Sequence, residues 1–312
     1  MSYNVYSEYL KNKYGEKVYK LPVNLPATCP NRDGRISRGG CIFCGESGAG
    51  YESLSADIPV AEQIRINREY IGSRYGAKKF IAYFQNFCNT YMPVNQFESY
   101  ITDAAKQEVV GIDISTRPDC VTEKHLEILA GIAEKFGVDI SIELGLQSVN
   151  RKTLEIINRG HGLAEFIDCV LMIKKYGFDI CVHLIPDLPW DTREDVIEGA
   201  KIMSALRVDS VKLHSLFVVK NTRLAQIYEN GEIKLLGAEE YAQRCALFLK
   251  YLSPEIVIQR IVGRVPEEDS ITANDDKSWW KIRDRIVEIL SAENARQGVL
   301  CTYLGGSAEY LK

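Results

Sequence analysis

The chain has 312 residues, 46% of them apolar and 26% charged, which suits a protein with a sizeable buried core and excludes a disordered one. A net charge of −4 argues against bulk electrostatic binding to nucleic acid, while leaving room for a local basic groove. No apolar run approaches the roughly 18 residues of a membrane span and none follows a basic N-terminal start, so a cytoplasmic protein with no membrane partner is expected.

In chain order, short β-branched runs stand at 17–25, 79–84, 109–115, 139–147, 178–186 and 209–219. Helical periodicity fills the intervals near 60–75, 96–107, 122–136, 163–176 and 192–206. Thr122, and Asp191 with Thr192, stand where helix caps belong. Such repeated βα units favour a parallel sheet, curved or closed. After about residue 220 the pattern changes to a helix-rich stretch (221–252), a short strand EIVIQRIV (255–262) and a basic segment KSWWKIRDR (277–285) leading into a last helix. The count is six βα units plus an appendage, divided into a core over 1–220 and a C-terminal α/β extension over 221–312 packed on it.

The nine cysteines are an odd number in a chain expected to be unsecreted, which points to ligands and core residues rather than disulfides. Three of them crowd into CPNRDGRISRGGCIFC (29–44). Eleven residues separate Cys29 from Cys41, and two separate Cys41 from Cys44. A structural zinc site normally closes with four protein ligands, yet the next cysteine, Cys88, lies past a predicted strand and helix. Three thiolates on a [4Fe–4S] cluster leave one iron open to a small molecule. The long first gap adds only about 1 kcal/mol of loop-closure entropy, against metal-binding energies roughly ten times larger. Phe43 can shield one side of such a cluster. A zinc site completed from afar is the competing reading.

In this triplet and four later segments the sequence resembles the radical S-adenosylmethionine (radical SAM) superfamily. The resemblance is closer to the branch of the Elongator catalytic subunit and the oxygen-independent coproporphyrinogen oxidases, and covers most of 15–265. The segments are FQNFCNTY (84–91), STRPD (115–119), ELGLQS (143–148) with NRGH (158–161), and HLIPDLPWDT (183–192). The first replaces the usual Gly-Gly-Glu run, and Trp190 and Asp191 depart from the usual Leu-Pro-Gly-Glu-Thr. The resemblance implies a partial (β/α)6 TIM-type barrel, a [4Fe–4S] cluster on Cys29, Cys41 and Cys44, and reductive cleavage of S-adenosylmethionine to methionine and a 5′-deoxyadenosyl radical.

It also implies a site at the C-terminal strand ends. Gln85 and Asn86 take the place of the run that binds the methionine amine, through backbone contacts. Arg159 is the natural carboxylate clamp, its bland alternative being a helix-end cation. Gln147 and Ser115 suit the amine, carboxylate or ribose hydroxyls, although Gln147 could simply end a strand. His183 stands where relatives carry an acidic ribose contact and is expected as neutral imidazole. Glu143 either faces the ligand or pairs with Arg117, and His161 has packing beside a turn as its bland alternative. His214, ending the sixth strand near Lys212, Lys220 and Arg223, is the catalytic candidate toward substrate.

The Elongator-like branch acts on the wobble uridine of tRNA. The chain has no room for an acetyltransferase domain, so the expected reaction is remodelling of a carbon-5 side chain, of the carboxymethylaminomethyl-to-aminomethyl type. The expected partners are tRNA and an electron donor such as flavodoxin or ferredoxin. Trp279 and Trp280 either stack bases or pack the last helix. The alternatives are a radical SAM enzyme acting on a porphyrin-like or other small molecule, and a non-catalytic zinc or iron–sulfur nucleic-acid-binding protein.

Overall fold

Side chains that are β-branched or aromatic form strands where both faces of a sheet are buried, as in a parallel sheet covered by helices. The computed structural model describes residues 2–45, 48 and 52–305. Its first half runs α1 (Tyr6–Tyr14), β1 (Val18–Val23), α2 (Val60–Tyr75), β2 (Lys79–Phe84), α3 (Val94–Ala105), β3 (Gly111–Thr116), α4 (Glu123–Phe136) and β4 (Asp139–Gln147). It continues with α5 (Arg151–Ile156), α6 (Leu163–Lys174), β5 (Asp179–Leu184), α7 (Arg193–Ala205), β6 (Ser210–Leu213) and β7 (Val218–Val219). The last elements are α8 (Arg223–Glu229), α9 (Gly237–Tyr251), β8 (Val257–Arg260), β9 (Ser270–Thr272) and α10 (Trp279–Ala292).

Seven strands in the order β1-β2-β3-β4-β5-β6-β8 form the parallel sheet of a partial TIM-type barrel, and β7 and β9 form a separate antiparallel pair. The sheet has one strand more than the six counted from sequence. The run at 255–262, read as part of the appendage, pairs in parallel with β6, Ser210 lying opposite Val257. Its apolar start, Val257 and Ile258, is buried. The run at 209–219 divides in two because the backbone N–H of Leu216 is taken by the Asp187 carboxylate instead of a neighbouring strand.

The chain forms two compact units. The first, called here the cysteine unit, comprises Ser7–Leu146 and Asn158–Cys181. Within it β1, β2, β3 and β4 pair in sequence order, with Leu21, Phe84, Ile112 and Ile114 fully buried. Two-residue alternation puts Asp113 and Ser115 on one face of β3, where a charged layer replaces apolar filling. Lys20 Nζ lies 2.5 Å from Asp113 Oδ2 and 2.8 Å from Glu143 Oε1. Thr122 starts α4 in a capping box with His125, as its sequence position requires.

The second, the histidine unit, comprises Met1–Tyr6, Gln147–Ile157 and Val182–Lys312. Thr192 caps α7 in a capping box with Asp195. The preceding Asp191 is buried, near the Ser148 and Thr153 side chains, which offset part of the upward push of burial on its carboxyl. Helices α9 and α10 pack together, joined at their surface by Arg285 and Glu239 at 2.9 Å. No helix among the described residues is long and apolar enough to cross a membrane.

Candidate functional site

The cysteine loop is built from turns. The N–H groups of Arg32 and Asp33 donate to the Cys29 carbonyl at 2.7 and 3.3 Å, and Cys44 N donates to Cys41 O at 2.9 Å. The loop is held against the NRGH turn, where Asn158 and Gly160 adopt left-handed backbone with φ of 55° and 75°. A Cβ on Gly160 would stand 2.7 Å from Asn31 Oδ1 and 2.8 Å from Ile36 Cγ2, so this close approach admits only glycine. Asn158 Nδ2 donates to Gly40 O at 2.8 Å and Ser37 Oγ at 2.9 Å. Asn31 Nδ2 answers by donating to the Asn158 carbonyl.

Each thiol of the triplet has an arginine. Arg159 Nη1 donates to Cys41 Sγ at 3.3 Å, and its Nε and Nη2 donate to Gly145 O at 3.2 and 2.6 Å. Arg32 Nη2 lies 3.7 Å from Cys44 Sγ and donates to Cys44 O at 2.9 Å. Arg117, 2% exposed, is gripped by Asp119 at 2.7 Å, and its charge acts on Cys29. Its Nη1 is buried with no hydrogen-bond partner among the described residues. Burial raises the Cys29 thiol, opposed by the Asn31 N–H, Arg117 and Arg159, which favour thiolate. Burial likewise raises Cys44, opposed by Arg32. Cationic donors around three thiols, two of them buried and one of those with an orphaned nitrogen, fit sulfurs that carry negative charge, as cluster ligands do. The three cysteines could therefore hold a [4Fe–4S] cluster.

The strand ends of this unit carry further polar groups. Ser115 Oγ donates to Glu143 Oε2 at 3.1 Å. Glu143 pairs with Lys20, and Arg117 with Asp119, so the Glu143–Arg117 ion pair allowed by the sequence does not form. Asn86 Nδ2 donates to Asn24 Oδ1 at 2.7 Å, while Asn86 Oδ1 is buried without a partner among the described residues. Gln85 is half-buried beside it. Burial, then Arg159 and Arg117, push the His161 imidazole down to about 3, which keeps it neutral; it does pack beside the turn, its Nδ1 3.3 Å from Gly162 O. Arg159 touches Cys41 and Gly145 rather than the carbonyls at the end of α5.

In the histidine unit, Gln147 ends β4 in left-handed backbone at φ 79°, an uncommon conformation for a residue with a side chain. The His183 and His214 rings lie 5.1 Å apart, tilted by 39°. Gly263, just after β8, passes flat against this region; a Cβ there would meet the Phe217 ring at 2.8 Å and His214 Nδ1 at 3.6 Å. The three cations near His214 in sequence part company. Lys212 is buried, Lys220 Nζ donates to Glu268 O at 2.6 Å, and Arg223 is exposed at the start of α8.

The sequence segments singled out above contain Asn31, Asn158 and Asp187, but nothing in them assigned these three residues a role. Asp187 accepts the Leu216 N–H at 2.9 and 3.1 Å, latching the loop after β6 to the loop after β5. Burial pushes its carboxyl up to about 7. The available signal was an acid set between prolines in the apolar run LIPDLP (184–189).

Residues 28–202 match the family described as the Radical SAM superfamily, and residues 208–291 match the Radical_SAM C-terminal domain. Uncharacterized protein MJ0486 of Methanocaldococcus jannaschii is 38% identical over 297 residues, covering 94% of this chain and 90% of that protein. Elongator complex protein 3 of Saccharomyces cerevisiae is 29% identical over 160 residues, or 50% of this chain and 28% of that protein. The archaeal Elp3 of Methanocaldococcus infernus, with an N-terminal deletion, shares the fold at a TM-score of 0.70 and 18% identity. That superposition covers 90% of this chain and 64% of the archaeal one.

Proposed function

The chain belongs to the radical SAM superfamily, and on that premise we propose that it remodels the carbon-5 side chain of a tRNA wobble uridine in the cytoplasm, in a step of the carboxymethylaminomethyl-to-aminomethyl type. It is a radical SAM enzyme with a [4Fe–4S] cluster and S-adenosylmethionine as cofactors. Cys29, Cys41 and Cys44 hold the cluster, which when bound supplies one low-potential electron for reductive cleavage of S-adenosylmethionine. An electron donor such as flavodoxin or ferredoxin provides that electron. Backbone groups at Gln85 and Asn86, with Ser115, Gln147 and His183, give the polar contacts for the amine, carboxylate and ribose. His214 stands toward the substrate.

The observation that carries the tRNA reading is the similarity to Elongator complex protein 3 across half of this chain. A surface feature of the histidine unit supports it. Trp279 is half-buried between two guanidiniums, with Arg264 4.1 Å and Arg283 5.3 Å from its ring centre. Trp280 stands edge-on to it and is 50% exposed, flanked in sequence by exposed Lys277 and Lys281. Trp279 thus packs the patch while Trp280 offers a face for base stacking, with cations for phosphates. The patch begins one residue after Gly263, which lies against His214.

The test is nucleoside analysis of tRNA from a strain lacking the protein. Accumulation of the carboxymethylaminomethyl form, cleared by adding back the purified, reconstituted enzyme, is the expected result. An unchanged set of wobble side chains would sink the substrate assignment.

A further inference from the structure

We propose that Arg159, seconded by Asn31, is a positioning residue for the Cys41 sulfur, donating N–H···S hydrogen bonds that set the potential of the bound cluster, rather than a clamp for the carboxylate of S-adenosylmethionine. The inference rests on the reading of Cys29, Cys41 and Cys44 as ligands. Arg159 Nη1 is 3.3 Å from Cys41 Sγ, and Asn31 Nδ2 is 3.7 Å from it on the same buried side.

Neither donor is free to swing. All three guanidinium nitrogens of Arg159 are committed, Nη1 to sulfur and the other two in a fork on Gly145 O. Asn31 is fully buried and its amide also reaches the carbonyls of Asn158 and Arg159. Gly160 permits the approach, since any Cβ would strike Asn31 Oδ1. The NRGH turn therefore supplies Arg159 and anchors Asn31 of the cysteine loop, so two donors reach one sulfur. A donor aimed at a ligand sulfur favours the more negative, reduced cluster and so raises its potential, and burial protects the effect from solvent screening.

The experiment is anaerobic reconstitution of wild type, Arg159→Met and Arg159→Lys, followed by iron analysis and a potentiometric titration monitored by electron paramagnetic resonance without S-adenosylmethionine. S-Adenosylmethionine is then titrated in to obtain its affinity. Arg159→Met should bind wild-type iron with a midpoint potential shifted to more negative values, and Arg159→Lys, which keeps a cationic donor, should recover part of the shift. If Arg159→Met does not load iron, the comparison rests on Arg159→Lys, for which a negative shift supports the proposal. An unchanged potential in iron-loaded variants, coupled to S-adenosylmethionine binding at least tenfold weaker, would overturn it in favour of the clamp. Full iron in Cys41→Ala would overturn the ligand reading instead, independently of either Arg159 variant.

Discussion

The two units solve the problem of a loop after a strand with opposite charges. In the cysteine unit, arginines point at sulfur, with Arg159 on Cys41 and Arg32 on Cys44. In the histidine unit, a buried carboxylate does the holding, with Asp187 taking the Leu216 N–H. The difference follows from what each loop surrounds. On the proposed reading of Cys29, Cys41 and Cys44 as ligands, the loop round them needs donors to answer their negative charge, whereas a loop closed on its neighbours exposes unpaired N–H groups and needs acceptors.

The largest effect should come from removing a sulfur. Cys41→Ala should lose nearly all cluster iron and bring 5′-deoxyadenosine formation to background, as read by iron analysis and product assay after anaerobic reconstitution. The buried layer beneath should respond next. Lys20→Met leaves Asp113 and Glu143 without their shared cation, and denaturant melts should show a loss of about 3–5 kcal/mol. No loss would mean the layer is hydrated enough to need no partner.

The carboxylate side is tested by pH. The Asp187 carboxyl stands at about 7 in the fold against 3.8 ordinarily, so the folded state binds the extra proton between those values. Its contribution is fully present below pH 4 and is lost as pH rises through about 7. Relative to Asp187→Asn, wild type should therefore lose up to about 4 kcal/mol across that window. Parallel stability curves for the two proteins would show that burial does not hold this carboxyl above its ordinary value. The smallest effect belongs to the surface. Trp280→Ala should weaken tRNA binding about tenfold, the worth of one stacked base, while 5′-deoxyadenosine formation without tRNA stays at wild-type rate. Unaltered binding by filter retention at low salt would remove the patch from the substrate path.

Much of the fold was legible because periodicity is a local property. The strands at 79–84 and 139–147 and the helix at 60–75 appear where their patterns place them. The helix at Tyr6–Tyr14 was missed, since only Leu10 of it is buried and its remaining face gives no apolar stripe. The short helix Arg151–Ile156 was missed too, because six residues are too few to show a period, although Asn150 caps it. The seventh strand was read as appendage because four residues carry no mark of which edge they will join.

The sequence by itself determined the cysteine triplet, the NRGH turn and the run of βα units, because ligand spacing, glycine placement and hydrophobic period are written in neighbouring residues. Only the tertiary structure decided the partners. Asn31 and Asn158 are 127 residues apart, Lys20 and Glu143 are 123 apart, and Arg159 and Cys41 are 118 apart. Each of these contacts depends on which strand ends the barrel brings together, and a charge buried there takes the partner that geometry supplies rather than the one nearest in sequence.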